Sequence, residues 1–127
     1  MEYLLDTHAL LWYLAGSNKL SEKARNIIKN PSNIIYVSIV SFWEISIKLS
    51  IGKIKMHESL PEIYNQTESV GMAILPLSNI AVFRIETLPL HHMDPFDRII
   101  IATAETENFF VVSNDDLFDL YGISRVW

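Results

Sequence analysis

The sequence predicts an α/β fold, in which a central and mainly parallel sheet of four to five strands is flanked by helices. Short runs rich in β-branched and aromatic residues alternate with longer segments of helical pattern, which is typical of parallel sheets. The length of 127 residues fits one domain. Because no repeat or Gly/Ser-rich linker divides the chain, we expect a single domain over residues 1–127.

The chain begins with a predicted strand and two predicted helices. Residues 2–5 form a short apolar strand, and an apolar helix follows over about 7–15 and ends at Gly16. Ser21 is placed as the N-cap of a second helix, which ends near Asn30.

A second strand and a third helix come next. Residues 34–37 are a continuous apolar run, as expected of a strand buried on both faces of a parallel sheet. Either Ser38 or Ser41 can cap the following helix, which runs to Ser50. Gly52 stands just beyond its end, a position that favours glycine.

The middle of the chain adds another helix, a strand and a short helical segment. The helix is predicted over about 59–70, with Pro61 tolerated in its first turn. A third strand over 72–75 follows, and then a helical segment over about 78–86.

The last part of the chain opens with the clearest helix signal. Asp94 is a favourable N-cap and Pro95 a favourable first helical residue, so we predict a helix from there to about residue 107. The remaining predicted elements are a fourth strand over 109–112, one turn over 115–119 and an edge strand over 123–126.

Composition limits the chemistry that the chain can perform. The absence of cysteine excludes disulfides and thiolate metal sites, so a metal would need oxygen or histidine ligands and would be a hard cation. The net charge of −5 argues against nucleic-acid binding by bulk charge. Two acids and no basic residue precede the apolar stretch near the N-terminus, which argues against a signal peptide. No apolar run is long enough for a membrane span, and we expect a cytoplasmic protein.

Four acidic residues are placed where a parallel sheet forms its sites. Asp6 follows the first strand and Asp115 follows the fourth, at the strand ends where such sheets bind ligands. Glu44 lies in the helix after the second strand, and Asp97 lies in the first turn of the helix before the fourth. Convergence of these acids would be unfavourable without a cation. Mg²⁺ or Mn²⁺, which prefers oxygen ligands and suits phosphodiester hydrolysis, would relieve it.

Four local motifs carry a resemblance to a known family. They are Leu4-Leu5-Asp6-Thr7-His8-Ala9-Leu10, then Val37-Ser38 with Ser41-Phe42-Trp43-Glu44-Ile45 and Lys48, then Asp94-Pro95-Phe96-Asp97-Arg98-Ile99-Ile100-Ile101-Ala102, and finally Val111-Val112-Ser113-Asn114-Asp115. In this order and spacing they resemble the PIN domain, specifically the VapC-like toxin nucleases of type II toxin-antitoxin systems. The likeness spans nearly the whole chain.

The resemblance implies an endoribonuclease dependent on Mg²⁺ or Mn²⁺, which hydrolyses RNA phosphodiesters with metal-activated water. It implies Asp6 and Asp97 as metal ligands, with Glu44 and Asp115 completing the catalytic cluster. Ser113 stands where the family more often has threonine, so a supporting hydroxyl is retained. The resemblance also implies a homodimer and a cognate antitoxin partner. The alternative is a catalytically inactive PIN-like module that binds RNA or protein.

Several of these residues also have a purely structural interpretation. Asp6 can cap the first helix, and Glu44 can pair with Lys48 one helical turn away, although its apolar neighbours indicate partial burial. Asp94 is explained as a helix cap, which leaves Asp97 for the metal. Asp115 is selected over its acidic neighbour by the hydroxyl residue two positions before it.

Other polar and aromatic residues have less defined roles. His91 and His92 are predicted to be loop residues, because adjacent side chains diverge. Arg98, with Lys48, Lys53 and Lys55, is interpreted either as a contact for RNA phosphate or as solvated charge. Aromatic side chains are expected in the core or in a dimer interface rather than as base-stacking platforms; these are Trp12, Tyr13, Phe42 and Trp43.

Two other α/β classes with acids at strand ends do not fit. A phospho-receiver domain needs an acidic pair after the first strand and a lysine after the last, and neither is present. A haloacid-dehalogenase-type phosphatase needs a second aspartate two residues after the first, where this chain has His8.

Overall fold

The computed structural model describes all 127 residues and contains one sheet of five parallel strands. The strands are Glu2–Leu5 (β1), Ile34–Ser38 (β2), Ala73–Leu75 (β3), Phe110–Val112 (β4) and Arg125–Val126 (β5). Their order across the sheet is β3-β2-β1-β4-β5, so β1 lies at the centre. The predicted fold class is confirmed, including the short edge strand at the end of the chain.

Six α-helices and one 3₁₀ turn connect and flank the strands. The helices are Thr7–Leu14 (α1), Glu22–Lys29 (α2), Ile39–Ser50 (α3), Leu60–Ser69 (α4), Asn79–Ile85 (α5) and Pro95–Glu107 (α6). The 3₁₀ turn spans Asp116–Leu120. None of these helices has the length and apolar character needed to cross a bilayer.

Serine and aspartate side chains begin every helix, because each accepts a hydrogen bond from a free backbone N–H of the first turn. Ser38, rather than Ser41, caps α3, which leaves the Ser41 hydroxyl for another contact. Helix α6 ends at Asn108, whose φ of 59° lies in the left-handed region that asparagine tolerates. The predicted caps at Ser21 and Asp94 are confirmed.

The central strand is buried on both faces. Leu4 and Leu5 are fully buried and belong to different apolar clusters, because successive side chains of a strand point to opposite faces. The larger cluster includes residues of α1, α2, α3 and α4, and the smaller includes residues of α6 and the 3₁₀ turn. Helices therefore cover both sides of the sheet.

Strand register brings the carboxyl ends of three strands to one edge. Leu5 is opposite Val37 of β2 and Val112 of β4. The Asp6 N–H continues the ladder by donating to the Val112 carbonyl at 3.1 Å. The residues that follow these strands, including Asp6 and Ser113, therefore lie side by side at the edge where parallel sheets place their sites.

Candidate active site

Asp6 is the first residue beyond β1, and its carboxylate is 3% exposed. Its Oδ1 accepts a hydrogen bond from Ala9 N–H at 2.8 Å, so it caps α1. Its Oδ2 accepts a hydrogen bond from Ser113 Oγ at 2.6 Å. Burial raises the pKa of Asp6, although both hydrogen bonds act in the opposite direction. The structural and the site interpretations of Asp6 are therefore compatible.

Ser113 connects Asp6 to the loop that carries Asp115. Its hydroxyl accepts a hydrogen bond from Asp115 N–H at 3.0 Å while it donates to Asp6. The side chain is completely buried. The Ser113 hydroxyl therefore holds two acidic residues, because it donates to the Asp6 carboxylate and accepts from the Asp115 backbone.

Glu44 lies on the face of α3 that contacts Thr7 at the start of α1, and it is 4% exposed. Its Oε1 accepts a hydrogen bond from Thr7 Oγ1 at 2.7 Å, and its Oε2 is paired with Lys48 Nζ at 2.5 Å. Thr7 Oγ1 also lies 2.9 Å from Ser41 Oγ. Since the one Thr7 hydroxyl hydrogen goes to Glu44, Ser41 acts as the donor to Thr7. Glu44 has both the predicted burial and the predicted pairing.

Asp97 lies in the first turn of α6 beside the N-cap Asp94. Asp94 Oδ1 accepts hydrogen bonds from the backbone N–H groups of Phe96 and Asp97, as a capping residue does. The pKa of Asp97 is raised to about 7, chiefly by burial and next by the charge of Asp94. The charge of His92 lowers this pKa, while the charges of Asp6 and Glu44 raise it further. Asp97 is therefore close enough to Asp6 and Glu44, which belong to two other segments, for their charges to raise its pKa.

Asp115 contacts a residue that the sequence interpretation left out of the site. His92 Nε2 lies 2.7 Å from Asp115 Oδ2 and 3.3 Å from Asp97 Oδ2. His92 is 7% exposed, whereas His91 is exposed and its ring lies 5.2 Å from that of Tyr121. The two histidines do diverge, but one of them enters the cluster. The sequence feature that could have indicated this contact is the position of His92, two residues before Asp94, which caps the helix that carries Asp97.

Both sequence interpretations of Arg98 are wrong. The side chain is neither a free phosphate contact nor solvated charge, because Arg98 is 8% exposed. Its guanidinium donates to four backbone carbonyls, those of Ile85, Leu88, Pro89 and His92. A planar group with five N–H donors suits such a set of acceptors. Arg98 therefore fixes the segment between α5 and α6, while Lys53 and Lys55 remain exposed.

The aromatic residues divide between core and surface. Phe42 is buried, and Trp12 and Tyr13 are half-buried. Trp43 is 59% exposed, so it is not a core residue of the single chain. Its ring packs edge-on against Phe96 at 5.2 Å and lines an apolar groove of about 260 Å³ between α3, α5 and the start of α6.

The acidic cluster offers the oxygen ligands that a hard divalent cation prefers. Of the four acids only Glu44 pairs with a lysine, Lys48, and the one basic side chain beside Asp97 and Asp115 is that of His92. Ligand atoms of His92, Asp97 and Asp115 lie within 4.8 Å of one another. Carboxylate oxygens with uncompensated negative charge are what Mg²⁺ and Mn²⁺ take as ligands.

Comparison with known proteins identifies the family. The PIN domain model matches residues 3–123 of the chain. Similar solved structures include VapBC2 from Rickettsia felis bound to a DNA fragment from their promoter (TM-score 0.72, 21% identity, 99% of this chain and 98% of that chain). DNA-bound VapBC from Salmonella typhimurium has a TM-score of 0.69 at 19% identity, with coverage of 99% and 97%. A search of curated proteins finds no significant match.

A further neighbour bears directly on fold. VapBC-5 from Mycobacterium tuberculosis, a member of the VapBC family of toxin-antitoxin systems, has a TM-score of 0.61 at 19% identity, with 98% of each chain covered. At such identities these neighbours show a shared fold. They do not by themselves assign an activity.

Proposed function

This chain belongs to the PIN domain family, and from that premise we propose that it is a divalent-metal-dependent endoribonuclease, the toxin of a type II toxin-antitoxin pair. Asp6, Glu44, Asp97 and Asp115 are its proposed catalytic residues. Asp6 and Asp97 are the proposed ligands of Mg²⁺ or Mn²⁺.

One observation carries the proposal: acids from four separate segments meet at the carboxyl edge of the sheet without enough positive charge to balance them. Burial and neighbouring acids raise the pKa of Asp97 to about 7, and burial raises the pKa of Asp6. A purely structural role would not require acids from other segments to oppose the ionisation of Asp97. A cation would remove this electrostatic penalty.

Residues of the cluster have different proposed roles in phosphodiester hydrolysis. Asp6 and Asp97 would hold the divalent cation, which would supply polarisation of the phosphate and a lowered pKa of a water molecule. Thr7 and Lys48 hold the two Glu44 oxygens, and Ser113 holds Asp6. A carboxylate of the cluster accepts the proton of the water as its oxygen attacks phosphorus. The bond from phosphorus to the 3′ oxygen breaks, and that oxygen takes a proton from solvent, which leaves 5′-phosphate and 3′-hydroxyl ends.

RNA is the proposed substrate and an antitoxin the proposed partner. The VapBC structures that this chain resembles are toxin-antitoxin systems by their own description, and we extend that assignment to this chain. A cysteine-free protein needs no oxidising compartment, which agrees with action on RNA in the cytoplasm.

A homodimer is part of the proposal. Trp43 and Val82 expose large apolar side chains at the groove between α3 and α5, and Phe83 of α5 is also exposed. Contiguous apolar surface of this kind marks protein interfaces. A second copy covering this face would give Trp43 the interface position that its sequence context suggests.

The activity test uses purified chain freed of any partner. RNA is incubated with the protein in Mg²⁺ and in EDTA, beside Asp6→Asn and Asp97→Asn. Cleavage that requires Mg²⁺ and disappears in both variants supports the nuclease. Cleavage that persists in EDTA or in both variants excludes it.

The same samples distinguish the alternative function, a PIN-like module without chemistry. Such a module would bind RNA or a protein partner while leaving RNA intact in Mg²⁺ and in Mn²⁺. The presence of all four acids, with the hydroxyls of Thr7 and Ser113 bonded to Glu44 and Asp6, favours the enzyme, since a binding module has no need of them.

A further inference from the structure

His92 lies in the loop between α5 and α6 and is held by four contacts with other residues. Its backbone N–H donates to the Tyr121 hydroxyl at 2.7 Å, and its carbonyl accepts from Arg98 at 3.2 Å. Its ring packs edge-on against the fully buried Phe118, with centroids 5.6 Å apart. Tyr121 in turn donates to the Pro89 carbonyl of the same loop. His92 therefore has little freedom to move or rotate.

The fourth contact determines where the ring carries its proton. The backbone N–H of Asp94 donates to His92 Nδ1 at 3.1 Å. A ring nitrogen that accepts a hydrogen bond presents its lone pair, so in the neutral imidazole the hydrogen is on Nε2. Nε2 is the atom that lies 2.7 Å from Asp115 Oδ2 and 3.3 Å from Asp97 Oδ2. Its hydrogen is directed to Asp115, and Asp97 Oδ2 lies within ion-pair distance of the same nitrogen.

We propose that His92 is a positioning residue, whose Nε2–H holds the carboxylate of Asp115 beside that of Asp97 in the cluster that would bind a divalent cation. The inference rests on the proposed metal-dependent function and assigns a role to a residue outside the four acids. Two carboxylates from different segments repel each other, and a donor that is hydrogen-bonded to one and close to the other opposes that repulsion. In this role His92 does not coordinate the metal, because Nε2 carries the hydrogen that is donated to Asp115 and coordination through Nε2 would require its lone pair.

Two substitutions of His92 test the Nε2 donor and the Nδ1 acceptor separately. His92→Gln places an amide N–H where Nε2 stands and keeps the donor to Asp115. His92→Asn places a carbonyl oxygen near the Nδ1 position, keeps the acceptor for Asp94 N–H and removes the donor. If the donor is what matters, the first variant should behave like the natural chain and the second should not.

Binding of Mn²⁺ alone, measured by calorimetric titration, is the first readout. We expect His92→Gln to bind Mn²⁺ within about threefold of the natural chain and His92→Asn to bind about tenfold or more weakly, as with other residues that orient metal ligands. Thermal melting in EDTA checks that both variants fold. Equal affinity in all three proteins, or weaker binding by His92→Gln than by His92→Asn, would overturn the proposal.

The position of the ring proton is the second readout, and a merely structural role would not predict it. Long-range ¹⁵N–¹H correlation spectra of labelled protein, assigned by the loss of signals in His92→Gln, show which ring nitrogen carries hydrogen. We expect hydrogen on Nε2 before and after addition of Mg²⁺. Hydrogen on Nδ1 with none on Nε2 would remove the donor and overturn the proposal, and loss of the Nε2 hydrogen on metal addition would identify His92 as a metal ligand instead.

Neither readout depends on RNA cleavage, so failure of the inference and failure of the proposed nuclease remain distinguishable. Mn²⁺ binding with the expected order of variants, but no cleavage of RNA, would keep the role of His92 and reject the activity. Cleavage with unchanged Mn²⁺ affinity in His92→Asn would do the reverse. A natural chain that binds no Mn²⁺ would overturn both.

Discussion

Ser113 Oγ donates a 2.6 Å hydrogen bond to Asp6 Oδ2, which joins residues 107 positions apart. Both side chains are buried, and their strands, β1 and β4, are neighbours at the centre of the sheet. The same hydroxyl accepts the Asp115 N–H. The Ser113 hydroxyl therefore brings acids from the two ends of the chain into one cluster when the sheet forms.

Removal of the Ser113 hydroxyl should weaken the cluster. Ser113→Ala leaves Asp6 Oδ2 without a buried donor and releases the Asp115 N–H, so we expect Mg²⁺-dependent cleavage to fall about tenfold or more. Ser113→Thr keeps the hydroxyl and serves as the matched control, which should stay near natural activity. Initial rates at saturating RNA test this, and equal rates for the alanine and threonine variants would contradict it.

Asp97→Asn should stabilise the metal-free chain at neutral pH. Burial and the charge of Asp94 raise the pKa of Asp97 to about 7 in the folded protein, from its ordinary value of 3.8. The folded state therefore binds more protons between these values, and this contribution to stability is lost as pH rises through 7. Each unit of pKa corresponds to about 1.4 kcal/mol. Melting in EDTA should show the variant more stable by about 5 °C or more at pH 8.

The pH dependence supplies the control for that prediction. The stabilisation by Asp97→Asn should shrink as pH falls from 8 toward 4, because the natural carboxyl becomes protonated in the folded state. In Mg²⁺ the order should reverse, since only the natural chain gains stability from the bound ion. A variant that melts lower than the natural chain in EDTA at pH 8 would show that the acid is not under electrostatic strain.

Asp94 and Asp97 should differ sharply although they are three residues apart. Asp94→Asn keeps the side-chain acceptor for the Phe96 and Asp97 N–H groups and should keep both stability and Mg²⁺-dependent cleavage. Asp94→Ala removes the cap and should lower the free energy of unfolding by about 1 kcal/mol. Urea denaturation and cleavage rates test this. Loss of cleavage in Asp94→Asn comparable to that in Asp97→Asn would make Asp94 part of the site.

Arg98→Lys should be destabilising despite the retained charge. Lysine cannot supply the planar set of donors that serves four carbonyls, and we expect a loss of about 2–3 kcal/mol in urea denaturation. Arg84→Lys is the matched control, because Arg84 makes a partly exposed pair with Glu105 and should change stability by less than about 1 kcal/mol. Similar losses in the two variants would contradict the anchoring role.

Local signals in the sequence predicted most of the fold. The caps at Ser21 and Asp94, the Pro95 start of α6 and the apolar strands depend on neighbours a few residues away, and each is confirmed. The placement of Asp6 beyond β1 follows from the rule for parallel sheets. The choice between Ser38 and Ser41 needed the structure, because both have capping chemistry and only the tertiary contact of Ser41 with Thr7 separates them.

The errors came from long-range contacts. His92 enters the cluster because Tyr121, Phe118 and Arg98 hold its loop, and no spacing rule relates those residues. Arg98 is buried because backbone carbonyls of a loop converge on it, which its position in a helix does not reveal. Trp43 is 59% exposed in the single chain, so a place in the core is excluded and a place in a dimer interface stays a prediction.

The ends of the RNA product test the central claim most directly. If the acidic cluster promotes attack by water on phosphorus, RNA cut in Mg²⁺ should carry a 5′-phosphate and a 3′-hydroxyl at every cleavage site. Labelling of the ends and mass spectrometry of the fragments identify both groups. Fragments with a 2′,3′-cyclic phosphate, which arises by attack of the ribose hydroxyl, would contradict this account.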